Sequence, residues 1–349
     1  MRRGTIFIIL FVLIAAALVA ATTLLRSQPP VEIDVAVDPL AELWLRAAAL
    51  EFNTSGVTVG VGRPVRVNVI VAPGMQILNE PWSSSNHPDG WIPAWSGFAA
   101  GIRMAVTANT EALSLARTPL VWMRDASEDS AISALTWDGV QEAAGSNRIN
   151  VAFSSPSLSV QGFAVVVSGA AHFHDSGVLT DTQLNDKAMR DWLKPVIDSV
   201  PNFNTIPNDV ATYVAGPQGR TVDVAIGPES QWLASLDVLA RTYTPEFAYP
   251  NYPVMFDFPY ITLSSAQTTG DERAASQAFA SYLLGDAQQR ALDSYGLRPA
   301  LGEPPETSAK FVAAEPYGIM RQLPGLQAVQ IPQSSAISGL RQWILSNGG

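Results

Sequence analysis

Between Val31 and Asn53 the hydrophobic spacing changes from every second residue to every third or fourth, and the change falls on a single turn. Val31, Ile33, Val35 and Val37 alternate with other residues, the period of a strand with one face turned inward. Asp38 then offers a helix cap, and Pro39 a first helical residue whose missing N–H costs nothing there. Leu40, Leu43, Trp44, Ala47 and Leu50 follow at helical spacing along one face. A strand that feeds a helix through so short a turn commits the chain to α/β layers, because the helix must pack back on the sheet.

The same succession recurs. Residues 65–73 (VRVNVIVAP) and 119–123 (PLVWM) read as strands, and TVDVAIGPES as a strand that runs into a helix near Pro228. Helical spacing appears in SEDSAISALTWDGVQEAAG and in TDTQLNDKAMRDWLKPVIDSV, where Pro195 should end or kink the helix. It appears again in ERAASQAFASYLLGDAQQRAL, whose stripe is Ala275, Phe279, Tyr282, Leu283 and Ala287, with Gly296 and Pro299 as the stop. FAVVVSG (163–169) fits a strand by its β-branching and a helix by its place after a serine-rich turn. Alternation of this kind predicts mostly parallel sheets. The tail from about 303 is Pro-rich, with one last helix around AISGLRQWILS.

With 349 residues the chain can bury two cores. Its 21 basic and 31 acidic residues leave a net charge of −10, which works against nucleic acid as a partner. There is no cysteine, so disulfides, thiol catalysis and an acylated lipoprotein cysteine are excluded. Residues 5–25 carry no charge and are flanked by Arg2, Arg3 and Arg26. Twenty-one helical residues span roughly the ~30 Å hydrocarbon core of a bilayer. The expectation is a cytoplasmic start (1–4), a transmembrane anchor (5–25), a linker (26–30) and an exported body held at the outer face. The competing reading is a cleaved signal peptide, cut near Val19-Ala20-Ala21 and releasing a secreted protein.

Several phrases in order resemble one family, the extracytoplasmic solute-binding proteins of the type II periplasmic fold, and within it those associated with von Willebrand factor A-type proteins. They are WLRAAALEFN (44–53), HPDGWIPA (87–94), ARTPLVWMRD (116–125), SSPSLSVQGFA (154–164), YPVMFDFPYITL (252–263) and AFASYLLGDAQQRALDSYGLRPA (278–300). The resemblance implies two α/β lobes with a ligand cleft between them. Lobe 1 would be 31–120 plus 247–300 and lobe 2 would be 121–246, with the tail 301–349 packing on lobe 1. Crossovers near 119–125 and 245–255 would be the hinge. It further implies a small-molecule ligand, delivery to an ABC-type permease or partnership with a von Willebrand factor A-type membrane protein, and neither catalysis nor a cofactor.

The turn around Asp89 matches the family's Pro-Asp-x-Trp-x-Pro pattern, so Trp91, Pro93 and Trp95 are candidates for the cleft lip; filling the core of lobe 1 is the competing role for the two Trp. Helix starts offer free amides and a positive dipole end to a ligand's oxygens. Three such turns occur: Asp38-Pro39, Ser155 to Ser159 with Ser157 between them, and Gly227 to Ser230 with Glu229. Capping alone would also account for Asp38 and for one of the serines. Where relatives that bind oxyanions carry serine, this chain carries Asp38, which favours an amine, a sugar hydroxyl or a cation instead. His172, His174 and Asp175 would need a third strong ligand to hold a metal, so no metal site is expected. No G-x-S-x-G elbow, S-x-x-K, H-E-x-x-H or P-loop is present. A sensor or assembly module on the same fold, and more remotely an exported hydrolase, are the alternatives to solute binding.

Overall fold

The computed structural model describes residues 7, 10–16, 29–127, 132–323, 325–330 and 335–347. Most of the anchor segment 5–25 lies outside the described residues; within it 10–16 are helical. Among the described residues no helix is long and apolar enough to cross a membrane.

The first lobe is a six-stranded sheet in the order β2 (Thr58–Val59), β3 (Arg63–Val71), β1 (Val31–Val37), β4 (Gly90–Ile92), β11 (Tyr260–Ser264), β5 (Thr107–Ala112). The alternation seen in the sequence places Val31, Ile33, Val35 and Val37 inside. β1 runs parallel to both neighbours, Val35 standing beside Val69 on one side and Gly90 on the other. The helix Glu42–Thr54 turns back over this sheet and buries Trp44, Leu45, Ala48, Ala49 and Phe52. Phe52 meets Phe279 of the helix Gly270–Leu283 edge to face at 5.1 Å, which ties the early and late parts of the lobe together.

The second lobe is built on β6 (Ala116–Asp125), β8 (Val224–Pro228) and β7 (Val151–Ala152). β6 belongs to both halves. Its start pairs with β10 (Met255–Phe256) and β12 (Arg298–Pro299), and its end with β8 and β9 (Pro245–Ala248). The chain therefore enters the second lobe along one continuous strand and returns through 245–256.

One local expectation is corrected, and two that stood open are resolved. The sheets are mixed rather than mostly parallel: β10–β11 returns to the first lobe against the direction of β4, and β6 lies antiparallel to β8. FAVVVSG is part of the helix Val160–Phe173, whose every position from Val160 to Ala171 is buried. A helix apolar all round is an interior helix, and surrounding packing outweighs the weak propensity of Val165, Val166 and Val167. Gly162 lets it dock, since a Cβ there would stand 2.0 Å from the Ser154 carbonyl oxygen. Pro195 sits inside the helix Lys187–Asp198 without ending it.

The tail touches both lobes. Gln330 exchanges backbone hydrogen bonds with Gly177 and Leu179 of the second lobe. The helix Ser335–Asn347 packs Ile337 on Gly101 and hydrogen-bonds Arg341 to Asn79 on the first-lobe side. On the other side, Arg190 lies over the Trp343 ring at 5.7 Å.

Candidate functional site

Four strand-to-helix turns converge where the lobes meet: Asp38 to Ala41 after β1, Pro73-Gly74 after β3, Ser154 to Gln161 after β7, and Pro228 to Gln231 after β8. Asp38 is buried and caps its own turn, Oδ1 accepting from the Leu40 amide at 3.0 Å. The Gly74 amide and Gln161 Nε2, the latter at 3.5 Å, donate to the same carboxylate. Burial raises the Asp38 pKa to about 6 although these hydrogen bonds pull it down. Gln161 is a bridge, because its Oε1 accepts from Ser159 Oγ at 2.6 Å while its amide reaches across to Asp38.

Beside this polar bridge the lobes are in van der Waals contact. Phe98 and Phe163 meet edge to face at 5.7 Å. A Cβ on Gly74 would lie 2.6 Å from Val160 Cγ2, so glycine is what allows the approach.

Next to that contact opens a pocket of about 270 Å³ with walls from both lobes. Pro39, Leu40, Ala41, Leu43 and Trp44 form one side, Gln161, Asn208, Asp209, Ser230, Gln231 and Ala234 the other, and Ser294, Tyr295 and Leu297 the floor towards the hinge. Trp44 Nε1, Ser230 Oγ and Gln231 Oε1 are buried polar atoms without a hydrogen-bond partner in the protein. Such atoms are rare in folded proteins, and each leaves a desolvation cost. No Lys or Arg lines the pocket.

The candidates from sequence are dispersed. Ser230 lines the pocket, and Asp38 immediately precedes it. Ser155 and Ser157 are buried and bonded to each other, Oγ to Oγ, at 2.9 Å, while Ser159 caps its helix through Gln161 N and Gly162 N. Glu229 has no exposed surface: Arg298 grips it from two nitrogens at 2.7 Å each, and the Tyr249 hydroxyl donates to the same carboxylate. Trp91, Pro93 and Trp95 are buried within the first lobe, Trp91 edge-on to Trp82 at 5.2 Å. Trp91 instead borders a separate cavity of about 520 Å³ walled by Ile102, Met104, Leu113 and Asp257. Asp257, bonded by the Ser96 amide at 2.7 Å, is pushed up to about 6 by burial.

His172 and His174 close a helix and turn to separate partners, Asp138 at 3.0 Å and the Gln183 carbonyl at 3.1 Å. Among the described residues no group of metal-ligating side chains gathers. Trp44 and Gln231, which complete the pocket, escaped the sequence reading. Their only signal was a place in the first turns of helices that follow strands, a place shared with many core residues.

Residues 33–298 match the family described as bacterial extracellular solute-binding protein. No curated protein sequence matches the chain. Among solved structures, the maltose/maltodextrin-binding domain of Bdellovibrio bacteriovorus bound to maltotriose is similar, with a TM-score of 0.60 at 12 % identity, covering 91 % of this chain and 95 % of that one. A solute-binding protein of an ABC transporter from Thermotoga lettingae, bound with α-D-tagatose, gives 0.56 at 15 % identity over 91 % and 95 %. The sulfate-binding protein of Mycobacterium tuberculosis gives 0.55 at 15 % over 89 % and 96 %. Identities this low speak for a shared two-lobed α/β fold and leave ligand choice to the residues of the cleft.

Proposed function

The chain belongs to the bacterial extracellular solute-binding proteins, a family of binders and not of enzymes, and we propose that it captures a small solute in the pocket between its lobes and hands it to an ATP-driven permease. The observation that carries this reading is the pocket of about 270 Å³ whose walls come from both lobes, Pro39 to Trp44 on one side and Gln161, Asn208 and Ser230 on the other. Capture would follow rotation of one lobe on the other about β6 and the return segment 245–256. The uncharged run 5–25 supports tethering at the outer face of the membrane.

The packing of Phe98 on Phe163 and Val160 on Gly74 favours a second reading. Here the lobes stay shut, and the fold serves as a tethered sensor or assembly module, with a von Willebrand factor A-type protein as the expected partner. Thermal unfolding of the purified chain against sugars, amino acids, polyamines, metals and oxyanions separates the two. A ligand of the native state at a hundred times its Kd adds about 2.7 kcal/mol, a shift of several degrees. A shift lost in Ser230→Ala is expected; no shift from any class would move the assignment to the assembly module.

A further inference from the structure

The helix Ser335–Asn347 is held from two sides, one in each lobe, and neither belongs to the hinge. Ile337, Leu340 and Ile344 are buried, at the spacing of one helix face. Towards the first lobe, a Cβ on Gly101 would collide with Ile337 Cδ1, and Arg341 donates to Asn79 Oδ1. Towards the second lobe, a Cβ on Gly339 would collide with Asn185 Oδ1. Arg190 there donates to Asn185 Oδ1 at 2.8 Å and to the Gly339 carbonyl at 3.5 Å, and its guanidinium lies over the Trp343 ring.

These contacts bear on how the cleft opens. Asn79 ends the helix Gly74–Asn79, whose Gly74 meets Val160, and Gly101 follows the helix Ser96–Ala99, whose Phe98 meets Phe163. The helix 335–347 thus seats on the two first-lobe elements that close against the second lobe. A rotation that parts Gly74 from Val160 and Phe98 from Phe163 also carries Asn79 and Gly101 away from Asn185 and Arg190. A helix of this length is stiff and can follow one lobe only. Its second-lobe grip is the larger, because the backbone pairing of Gln330 with Gly177 and Leu179 holds the preceding segment there as well. Arg190 Nε and Arg341 Nε are buried without a hydrogen-bond partner among the described residues, so each grip is incompletely satisfied and open to release.

We propose that the helix Ser335–Asn347 is a latch between the lobes, which leaves Gly101 and Asn79 and travels with the second lobe when the cleft opens. Entry to the cleft is then gated by the chain's own tail. The proposal rests on the lobe rotation of the reading above and on no particular solute.

The test is hydrogen exchange read by mass spectrometry, with small-angle X-ray scattering, on the purified full chain. Ile337→Asp with Arg341→Gln removes the first-lobe grip, and a carboxylate in the first turn suits a helix, so the helix itself should persist. Peptides over the cleft turns 38–41, 73–75 and 155–161 should exchange tenfold faster or more than in the parent, and the radius of gyration should rise. Circular dichroism and a cooperative unfolding transition check that the variant folds. Gly101→Cys with Ile337→Cys gives the converse on a second variant. Ile337 Cγ1 stands 3.4 Å from where a Gly101 Cβ would be, and the chain has no cysteine of its own, so one disulfide can pin the helix. Oxidation should slow exchange at the same turns tenfold or more relative to the reduced form.

Cleft turns that exchange alike in parent and released variant, or alike in the oxidised and reduced pair, would overturn the latch. So would a helix as protected in the released variant as in the parent. These readouts need no ligand, which keeps them apart from solute capture. Capture fails instead if the sugars, amino acids, polyamines, metals and oxyanions shift neither the parent nor the released variant.

Discussion

Two of the contacts between the lobes are built in opposite ways. At the hinge, Glu229, which opens a second-lobe helix, and Arg298, on a strand paired with the start of β6, form a bidentate ion pair with no exposure on either side. The Tyr249 hydroxyl, the Glu303 carboxylate and the carbonyls of Met320 and Arg321 take up the remaining donors and acceptors, and the Phe311 ring lies 4.8 Å from the guanidinium. At the cleft, Gln161 reaches across to Asp38 through a 3.5 Å hydrogen bond, and burial raises the pKa of that carboxylate to about 6. Buried charge is tolerated where every partner is present and is a liability where they are few. One contact is densely partnered and the other sparsely, the pattern that the proposed rotation of one lobe on the other would use.

Breaking the densely partnered contact should cost most. Arg298→Met leaves the Glu229 carboxylate buried and unpaired, an expected loss of about 3–5 kcal/mol read as a fall in the urea midpoint. A loss below about 1 kcal/mol would mean the hinge is no firmer than the cleft.

Asp38→Asn addresses the sparsely partnered contact. The folded pKa of Asp38 stands at about 6 against 3.8 for the unfolded chain, so the native state holds the proton more tightly. Stability therefore falls as pH rises from about 4 to about 6, by up to about 3 kcal/mol for this group, and the loss is complete above that window. Asp257, raised in the same way, adds to the slope. Asparagine keeps the cap and cannot ionise. The variant should be more stable than the parent at pH 7, with a shallower pH dependence between 4 and 6 by chemical denaturation. An unchanged slope would show that Asp38 carries no such strain.

Gly74→Ala tests the close approach itself. Its methyl would meet Val160 Cγ2 at 2.6 Å and Phe98 Cε1 at 3.2 Å, so the lobes must part or the site must repack. The expected cost is about 1–3 kcal/mol, with a larger radius of gyration in solution scattering. The smallest effect belongs to Phe163→Leu, which removes the edge contact to Phe98 at nearly equal volume and should cost about 1 kcal/mol. A larger loss there would make the apolar contact, and not the hinge, the principal clasp.

Legibility followed the range of the forces involved. β1 and the helix after it were plain because alternation, a capping aspartate and a 3.6-residue stripe lie within one stretch of chain. Ser230 was found through its place after a strand, whereas Glu229 beside it was drawn into the hinge by Arg298, sixty-nine residues away. Trp91 and Trp95 showed as aromatics held in a turn, yet nothing local distinguished a cleft lip from a core. FAVVVSG was ambiguous for the same reason: the forces that make it a helix come from the walls around it.

Residue spacing and composition were enough for the α/β layering, the capped turns and the absence of cysteine chemistry. The sequence also carried the acidic residue at the first turn. Only the folded chain shows that Asp38 is held by Leu40, Gly74 and Gln161, that Glu229 pairs with Arg298, and that Trp44, Ser230 and Gln231 share one pocket. Those outcomes depend on which groups, distant in the chain, are brought together out of water, and burial of that kind leaves no period in the sequence to read.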